Sequence, residues 1–590
     1  MCGIVAYVGD GQAGPLLLEG LRRLEYRGYD SAGIGILNGE GTIQIVKEVG
    51  RIEELERRAN LMVIGGSTGI AHTRWATHGG VTRENAHPQY SCNGEIAVVH
   101  NGIIENHQEL RRELEAKGHR FASETDTEVV AHLMEEVYRK RREPMESVRE
   151  VAQRLQGAYA LAILFEDRPG MLVGVREEAP LVVGLGVGEN FLASDALGFV
   201  GHTDRAIFLD NREIARLTKD EVTIYGFDGQ AVRKPVTQIA WEVSSVSRKE
   251  FEHYTLKEIH EQKETVRQAF QQAPEDLGNF VAAVRRSERV YVTGCGSSFH
   301  AALLAKQLFN VYGRIPVEVI LSSEFDQYEG LMDRGSLLIA LSQSGETADV
   351  LAAVKAARNR GATVCSIVNT PGSSLVRLSS CVLLNNCGPE IGVAATKSFT
   401  SQLMILSRLS LVLGDRGAEL SELDTAGFFV EKVLTVEPTV REVAERFQNA
   451  NDFYFVGRSL NYPLALEGAL KLKELSYIHA EGMAAGELKH GSLALISDGV
   501  PVVVLNPEDQ TYHDTLSNAS EVKARGGRII GVSSKRSPIY DEFIPIPTAA
   551  PVLTPILESV PLQLLAYHAS LCRRQNPDYP RNLAKSVTVK

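Results

Sequence analysis

Val290-Tyr291-Val292-Thr293-Gly294-Cys295-Gly296-Ser297-Ser298 is an apolar run that ends in glycines and hydroxyls, and Phe453-Tyr454-Phe455-Val456-Gly457 repeats its outline. Each is followed by a helix-like stretch, Ala301–Tyr312 and Leu464–Leu475. Further outward, Ser336–Ser342 matches Val500–Asn506, Glu346–Leu351 matches Thr511–Leu516, and Asn359–Val364 matches Ala524–Ile529. Order is kept throughout at an offset of about 164 residues, the mark of an internal duplication. Strand, helix, strand, helix, strand in each copy predicts two α/β domains with parallel sheets covered by helices. Ligands of such sheets collect beyond the carboxyl ends of the strands.

Ahead of the repeat the pattern changes. Short apolar segments such as Ile4–Val8, Gly33–Leu37, Ile96–Val99, Ala160–Phe165 and Leu181–Val183 read as strands. Helices are expected at Gly14–Leu24, His107–Lys117, Asp126–Arg139 and Ser147–Leu155. Without regular long crossovers, this mixture predicts a layered α+β domain with antiparallel sheets. The expected division is residues 1–240, a polar linker over 241–275, α/β domains over 276–425 and 440–575, and a tail over 576–590.

The 590 residues exceed a single hydrophobic core. Lysine and arginine total 62 against 74 for aspartate and glutamate, a net charge of −12 that offers no bulk attraction to nucleic acid or anionic membrane. The seven cysteines are odd in number, widely spread and without CxxC, as expected of reduced thiols in a cytoplasmic protein. No secretory signal opens the chain and no apolar run is long enough to span a bilayer. Cysteine and histidine show no common short metal-ligand spacing, so no metal is expected.

Cys2 follows the initiator methionine in Met1-Cys2-Gly3-Ile4-Val5. One reading is a small residue that begins a buried strand. The other is a nucleophile that carries its own base: removal of Met1 frees an α-amine whose pKa, about 7.7–8.0, leaves part of it neutral near pH 7. Polar residues in this block cluster as Arg74-Trp75-Ala76-Thr77-His78-Gly79, His87-Pro88, His100-Asn101-Gly102 and Thr125-Asp126-Thr127. Asn101-Gly102 is a strong signal for a tight turn after a strand. It equally offers an amide and a glycine N–H for an oxyanion hole, and the two readings are compatible. Arg74 suits an α-carboxylate and Asp126 an α-ammonium; singly, each is an ordinary ion-pair residue.

These clusters, with Gly20–Gly33, resemble the N-terminal-nucleophile glutaminase domain of class II amidotransferases. The resemblance implies that Cys2 attacks the side-chain amide of L-glutamine with its α-amine as base. It places Asn101 and Gly102 in the oxyanion hole and Arg74, Thr77, His78 and Asp126 on the glutamine. Trp75 is similar to a tryptophan that gates ammonia passage, and His87 falls in the same pocket region.

In the duplicated part, Gly294–Ser298 and Ser342-Gln343-Ser344-Gly345-Glu346-Thr347 end two matching strands and open helices. Hydroxyls around glycine at a helix start supply N–H and O–H donors at the favourable end of the helix dipole. Ser344 and Thr347 also suit plain helix capping. Gly294-x-Gly296 lacks the third glycine of a dinucleotide fingerprint, and no Walker motif is present. Lys471 and Glu474 lie on a helical stretch, His490 in a polar turn and Lys585 near the end, a carboxylate, imidazole and amine set sufficient for an aldose–ketose proton shift.

The duplicated region resembles two SIS (sugar isomerase) domains, and the whole chain resembles the glutamine–fructose-6-phosphate aminotransferase (isomerizing) family. This implies phosphate contacts at Ser298, Ser342, Gln343, Ser344 and Thr347, and a sugar lined by Cys295, Gly296, Ser297, Val393 and Ala584. It implies an imine on Lys585, proton transfer by Glu474 supported by Lys471, and ring opening assisted by His490 from a partner subunit, hence a homodimer. It implies conversion of D-fructose 6-phosphate and L-glutamine to D-glucosamine 6-phosphate and L-glutamate, ammonia being channelled between the two sites, with no cofactor. Ala395 departs from the serine of close bacterial relatives. A sugar-phosphate-sensing regulator built on SIS domains is the alternative, and it would need neither Cys2 nor a reactive tail.

Overall fold

The structure, a computed structural model, describes residues 2–58, 64–239 and 247–588. Met1 and the expected 240/241 boundary lie outside them. Cα packing divides the chain into two compact units, Met1–Val246 with Ser586–Lys590, and Ser247–Lys585.

The first unit is built on two antiparallel sheets. Eight strands lie in the order Thr237–Gln238, Arg205–Phe208, Val182–Leu185, Glu189–Ala193, Gly3–Gly9, Thr68–Arg74, Ser31–Leu37 and Ile43–Val49. Seven lie in the order Ala231–Val232, Val222–Gly226, Glu213–Leu217, Leu172–Glu177, Gly157–Phe165, Ile96–Ile104 and Gln89–Tyr90. Strand alternation sorts the side chains into layers. In Gly157–Phe165, Tyr159, Leu161, Ile163 and Phe165 pack with helices Glu128–Arg141 and Pro144–Arg154. Ala160, Ala162 and Leu164 face the other way, into a core shared with Ile4, Ala6 and Val8 of the first sheet. Helix Ala13–Leu24 packs along Gly3–Gly9 and Thr68–Arg74, with Gly20 close against Val5. The layers are therefore helix, sheet, sheet, helix, as the α+β reading expects.

The turn expected at Asn101-Gly102 is not present. Strand Ile96–Ile104 runs through both, with Asn101 opposite Ala160 and Gly102 opposite Tyr159. Gly102 has φ +121°, and a Cβ there would stand 1.9 Å from the Ala158 carbonyl oxygen. The glycine that looked like a turn signal is instead required by a distorted strand.

The second unit holds two parallel five-stranded sheets. One runs Val317–Leu321, Arg289–Gly294, Ser336–Ser342, Thr363–Val368, Cys381–Leu384; the other runs His479–Ala484, Asp452–Gly457, Pro501–Leu505, Arg528–Ser533, Glu542–Pro545. Both have the chain order 2-1-3-4-5, which confirms the duplication read from the sequence. The order reverses between the first and third strands, where ligands of open α/β sheets bind. Gly294–Ser298 and Ser342–Thr347 leave those two strands of the first sheet. One core runs through both sheets by way of the buried helices Lys397–Leu413 and Thr554–Cys572.

The segment expected as a linker contains a helix, Tyr254–Phe270, integral to this unit. Its buried face carries Thr255, Lys257, Glu258, Gln262 and Thr265 beside Ile259 and Val266. Hydrogen bonds pair several of these groups: Thr255 with Asp578 at 2.9 Å, Gln262 with Gln563 at 2.7 Å and with Thr400 at 2.8 Å, and Glu258 Oε1 with the Ile391 N–H at 2.5 Å. An apolar stripe is absent because the helix docks through polar contacts.

Candidate functional site

Cys2 is half-buried and immediately precedes strand Gly3–Gly9, so its thiol stands at the strand's open end. The Trp75 N–H donates to Sγ at 3.2 Å. Burial pushes the Cys2 thiol pKa up, while the Trp75 N–H and the Arg74 charge pull the other way. Asn101 Nδ2 donates to the Cys2 carbonyl oxygen at 2.8 Å. Asn101 Oδ1 lies 3.1 Å from His72 Nε2, which is also 2.9 Å from the His100 carbonyl oxygen. With Nε2 protonated, His72 fixes which way the Asn101 amide points. Burial pulls the His72 pKa down to about 3, so this imidazole is neutral near pH 7.

His87 lies beside it, with ring centroids 4.2 Å apart. Asp126 is buried and accepts the Ile104 N–H at 2.8 Å, on the strand that carries Asn101 and Gly102. Arg74 differs from expectation: its guanidinium donates to the carbonyls of Gly80 at 3.1 Å and Gly79 at 3.3 Å, and to that of His78. It thereby shapes the Trp75–Gly80 loop. Thr77 is exposed on this loop, and His78 is half-buried with Nδ1 3.4 Å from Thr77 Oγ1. The fold thus gathers Cys2, Trp75, Asn101, Gly102 and Asp126 from four separated segments.

In the second unit, Ser297 opens helix Ser297–Leu308 and donates to Glu467 Oε1 at 2.8 Å. His300 Nδ1 lies 2.7 Å from the other Glu467 oxygen. Glu467, Lys471 and Glu474 share one face of helix Tyr462–Ser476, and Lys471 Nζ reaches Glu467 at 3.5 Å and Glu474 at 2.5 Å. Burial acts to lower the Lys471 pKa, but the two carboxylates outweigh it and hold the amine charged. Burial likewise opposes the Glu467 charge, and Lys471, His300 and Ser297 overcome it.

Ser342 Oγ accepts the Gly345 N–H at 3.0 Å and Ser344 Oγ the Glu346 N–H at 3.2 Å. Gly345, at φ +69°, has no room for a side chain beside Ser373. Thr347 stands at the cap position of helix Ala348–Asn359 but makes no side-chain cap hydrogen bond. The first turn of that helix therefore has N–H donors that Thr347 does not cap. Ser298 pairs with Gln402 at 3.1 Å, and Gln343 is half-buried beside this loop.

Lys585 is nearly buried, ion-paired with Glu390 and donating to the Gly392 carbonyl oxygen at 2.7 Å. Burial would raise the Glu390 pKa, but Lys585 and Ser398 bring it down to about 2. Val393, which follows Gly392, is buried and donates its N–H to the Asp578 carbonyl at 3.2 Å. Ala584 and Ala395 are half-buried, as is Cys295, whose thiol pKa burial raises. His490 is exposed, on the short helical segment Ala485–His490.

Glu467, His300, Glu390, Gln402 and His72 were not anticipated. For two of them a signal existed. Glu467 precedes Lys471 by one helical turn, and His72 shares a strand face with Arg74 by alternation. Among the described residues, the metal-ligand side chains that group closely, Cys92, His119, His132 and Glu135, belong to neither site.

Over its full length the chain is 46% identical to the glutamine–fructose-6-phosphate aminotransferase (isomerizing) of Pyrococcus horikoshii, covering 100% of both. The chain belongs to the glutamine–fructose-6-phosphate aminotransferase (isomerizing) family. A second aminotransferase of that name, from Methanothermobacter thermautotrophicus, is 47% identical over 100% of both chains. Profiles described as SIS domain match residues 283–411 and 446–573, and one described as glutamine amidotransferase domain matches residues 72–198. The C-terminal domain of the glucosamine-fructose-6-phosphate aminotransferase from Francisella tularensis superposes with a TM-score of 0.53 at 32% identity, covering 56% of this chain and 99% of that one. As an aminotransferase of this family, the chain carries its glutaminase-like residues on the antiparallel sheets and its hydroxyl-rich loops on the parallel ones.

Proposed function

We propose that the chain converts D-fructose 6-phosphate and L-glutamine to D-glucosamine 6-phosphate and L-glutamate. The observation that carries this reading is its full-length similarity to aminotransferases of that name. Two groups of polar residues support the assignment of roles, one around Cys2 and one around Glu467, Lys471 and Glu474.

In the first step Cys2 is the nucleophile. With Met1 removed, its α-amine takes the thiol proton and Sγ attacks the glutamine side-chain carbonyl. The developing oxyanion is met by the Asn101 amide and the Gly102 N–H. Asp126, Thr77, His78 and Arg74 hold the amino acid, Arg74 chiefly through the loop it shapes. Ammonia leaves and water hydrolyses the thioester to glutamate.

In the second step the 6-phosphate is held by Ser298, Ser342, Gln343, Ser344 and Thr347. Cys295, Gly296, Ser297, Val393 and Ala584 line the sugar. Lys585 leaves Glu390, loses a proton and condenses with the C2 carbonyl of the open-chain ketose, releasing water. Ammonia displaces Lys585 at C2, and Glu474 carries the C1 proton to C2, giving the amino aldose. Lys471 steadies Glu474, and His490 of a second copy of the chain assists ring opening. Ammonia passes between the two steps without equilibrating with solvent, since protonation would end its nucleophilicity. The residues 1–240 serve the first step, and the domains at 276–425 and 440–575 with the tail at 576–590 serve the second.

A homodimer in the cytoplasm is the proposed setting. Among the described residues no helix is long and apolar enough to cross a membrane. The regulator alternative has no specific observation in its favour: a sensor has no use for a buried lysine between two carboxylates. Incubation of the purified protein with both substrates tests the proposal. Glucosamine 6-phosphate should accumulate with glutamate in equal amounts; no product from protein whose mass confirms Met1 removal would reject it.

A further inference from the structure

We propose that Cys92, His119, His132 and Glu135 form a structural zinc site in the first unit. The sequence gives no short ligand spacing because the fold draws the four from three segments. Cys92 precedes strand Ile96–Ile104, His119 follows helix His107–Ala116, and His132 and Glu135 lie one turn apart on helix Glu128–Arg141. One donor atom from each lies within 4.8 Å of all the others.

The spacing is that of ligands around a metal. With Zn–S near 2.3 Å and Zn–N or Zn–O near 2.1 Å, tetrahedral ligand atoms stand about 3.4–3.6 Å apart. Cys92 Sγ lies 3.6 Å from His119 Nδ1 and 3.5 Å from His132 Nδ1. Glu135 Oε2 lies 3.3 Å from His119 Nδ1 and 3.7 Å from His132 Nδ1. Both histidines turn the same nitrogen, Nδ1, to the common centre.

The surrounding groups hold that arrangement. His119 Nε2 is 3.3 Å from Glu136 and His132 Nε2 is 3.3 Å from Glu128. A carboxylate that accepts a hydrogen bond from the far nitrogen of each imidazole keeps the proton on that side and leaves Nδ1 free to ligate. Glu128 is itself fixed by the N–H groups of Ala122 and Ser123, each at 2.7 Å. Glu135 Oε1 is tied to Arg139 at 2.6 Å. The Arg120 N–H points at Cys92 Sγ at 3.5 Å, a donor suited to a thiolate. One thiolate and one carboxylate balance a divalent cation, and a thiolate with two imidazoles selects zinc over magnesium or calcium. All four positions are taken by protein, so the site is structural. It clamps the segment entering the Asn101-Gly102 strand to the helix that follows Asp126.

The test uses the full chain in a Cys2→Ala background, stripped with a chelator and titrated with Zn²⁺ alone against a chromophoric competitor, then with Co²⁺ alone. One zinc per chain should bind. Cobalt should give strong tetrahedral d–d bands with a thiolate charge-transfer band. Cys92→Ser should abolish the charge-transfer band, and Glu136→Gln should weaken zinc by ~10–100-fold, as outer partners do. Zinc should also raise the melting temperature of the parent and not that of Cys92→Ser. Absence of tetrahedral cobalt bands in the parent protein, which depends on no variant's folding, would overturn the proposal. So would bands unchanged in Cys92→Ser.

Discussion

The Lys585 ammonium donates to the Gly392 carbonyl oxygen at 2.7 Å, holding a residue near the chain end against the loop that carries Val393. The same ammonium is ion-paired with buried Glu390. In the proposed mechanism this is the position from which a carbonyl substrate draws the amine. Borohydride added with fructose 6-phosphate should therefore give a stable hexose phosphate adduct on Lys585. Lys585→Arg should remove the adduct and lower amino-sugar formation by ~10³-fold or more, leaving glutamine hydrolysis in place. An adduct of equal yield on the variant would exclude Lys585 as the imine-forming residue.

Glu467 joins Ser297, His300 and Lys471 in one network, so its role is to position them. Glu467→Gln removes a charge that raises the Lys471 pKa. The alkaline limb of the isomerisation rate should move to lower pH, with kcat down by ~10–100-fold and KM little changed. A pH profile identical to the parent's would assign Glu467 a purely structural part.

His72 is buried and neutral, its pKa about 3 against 6.5. Its folded-state pKa is depressed, so below pH 6.5 the unfolded chain takes up a proton that the folded chain refuses. Stability from this group is full above pH 6.5 and falls by about 1.4 kcal/mol per pH unit down toward pH 3. Buried His87 and His100, whose pKa values burial also lowers, add to the same loss. In denaturant unfolding of the full chain between pH 7 and pH 4, His72→Gln should therefore reduce the slope by about 1.4 kcal/mol per pH unit without abolishing it. An unchanged slope in the variant would place the acid sensitivity elsewhere.

Much of this was legible in the sequence because it depends on local pattern. The paired strand–helix repeats gave both parallel sheets, and Ala160-Leu161-Ala162-Ile163 alternates small and large as a strand between a second sheet and helices must. Asn101-Gly102 misled, since the turn signal and the distorted strand make the same demand on glycine. The helix Tyr254–Phe270 was hidden because its buried face is polar and its partners, Asp578 and Gln563, are more than 300 residues away. Glu390, through Lys585, and the Cys92 cluster act through long-range contacts that no window along the chain contains.

Gly102→Ala tests the distorted strand. The substitution must relieve a 1.9 Å approach to Ala158 and leave φ +121°. Stability should fall by about 1–3 kcal/mol, with a larger proportional loss of glutaminase activity than of sugar isomerisation. Equal stability in thermal and denaturant unfolding would mean that the strand is undistorted in solution.

In the proposed reaction, nitrogen freed at Cys2 reaches a sugar held by Lys585. Glutamine labelled with ¹⁵N in its side-chain amide, supplied with fructose 6-phosphate in an excess of unlabelled ammonium, reads this directly. Glucosamine 6-phosphate should carry ¹⁵N at nearly the enrichment of the glutamine. Product with the isotope ratio of the bulk ammonium, or glutamate formed without any amino sugar, would contradict it.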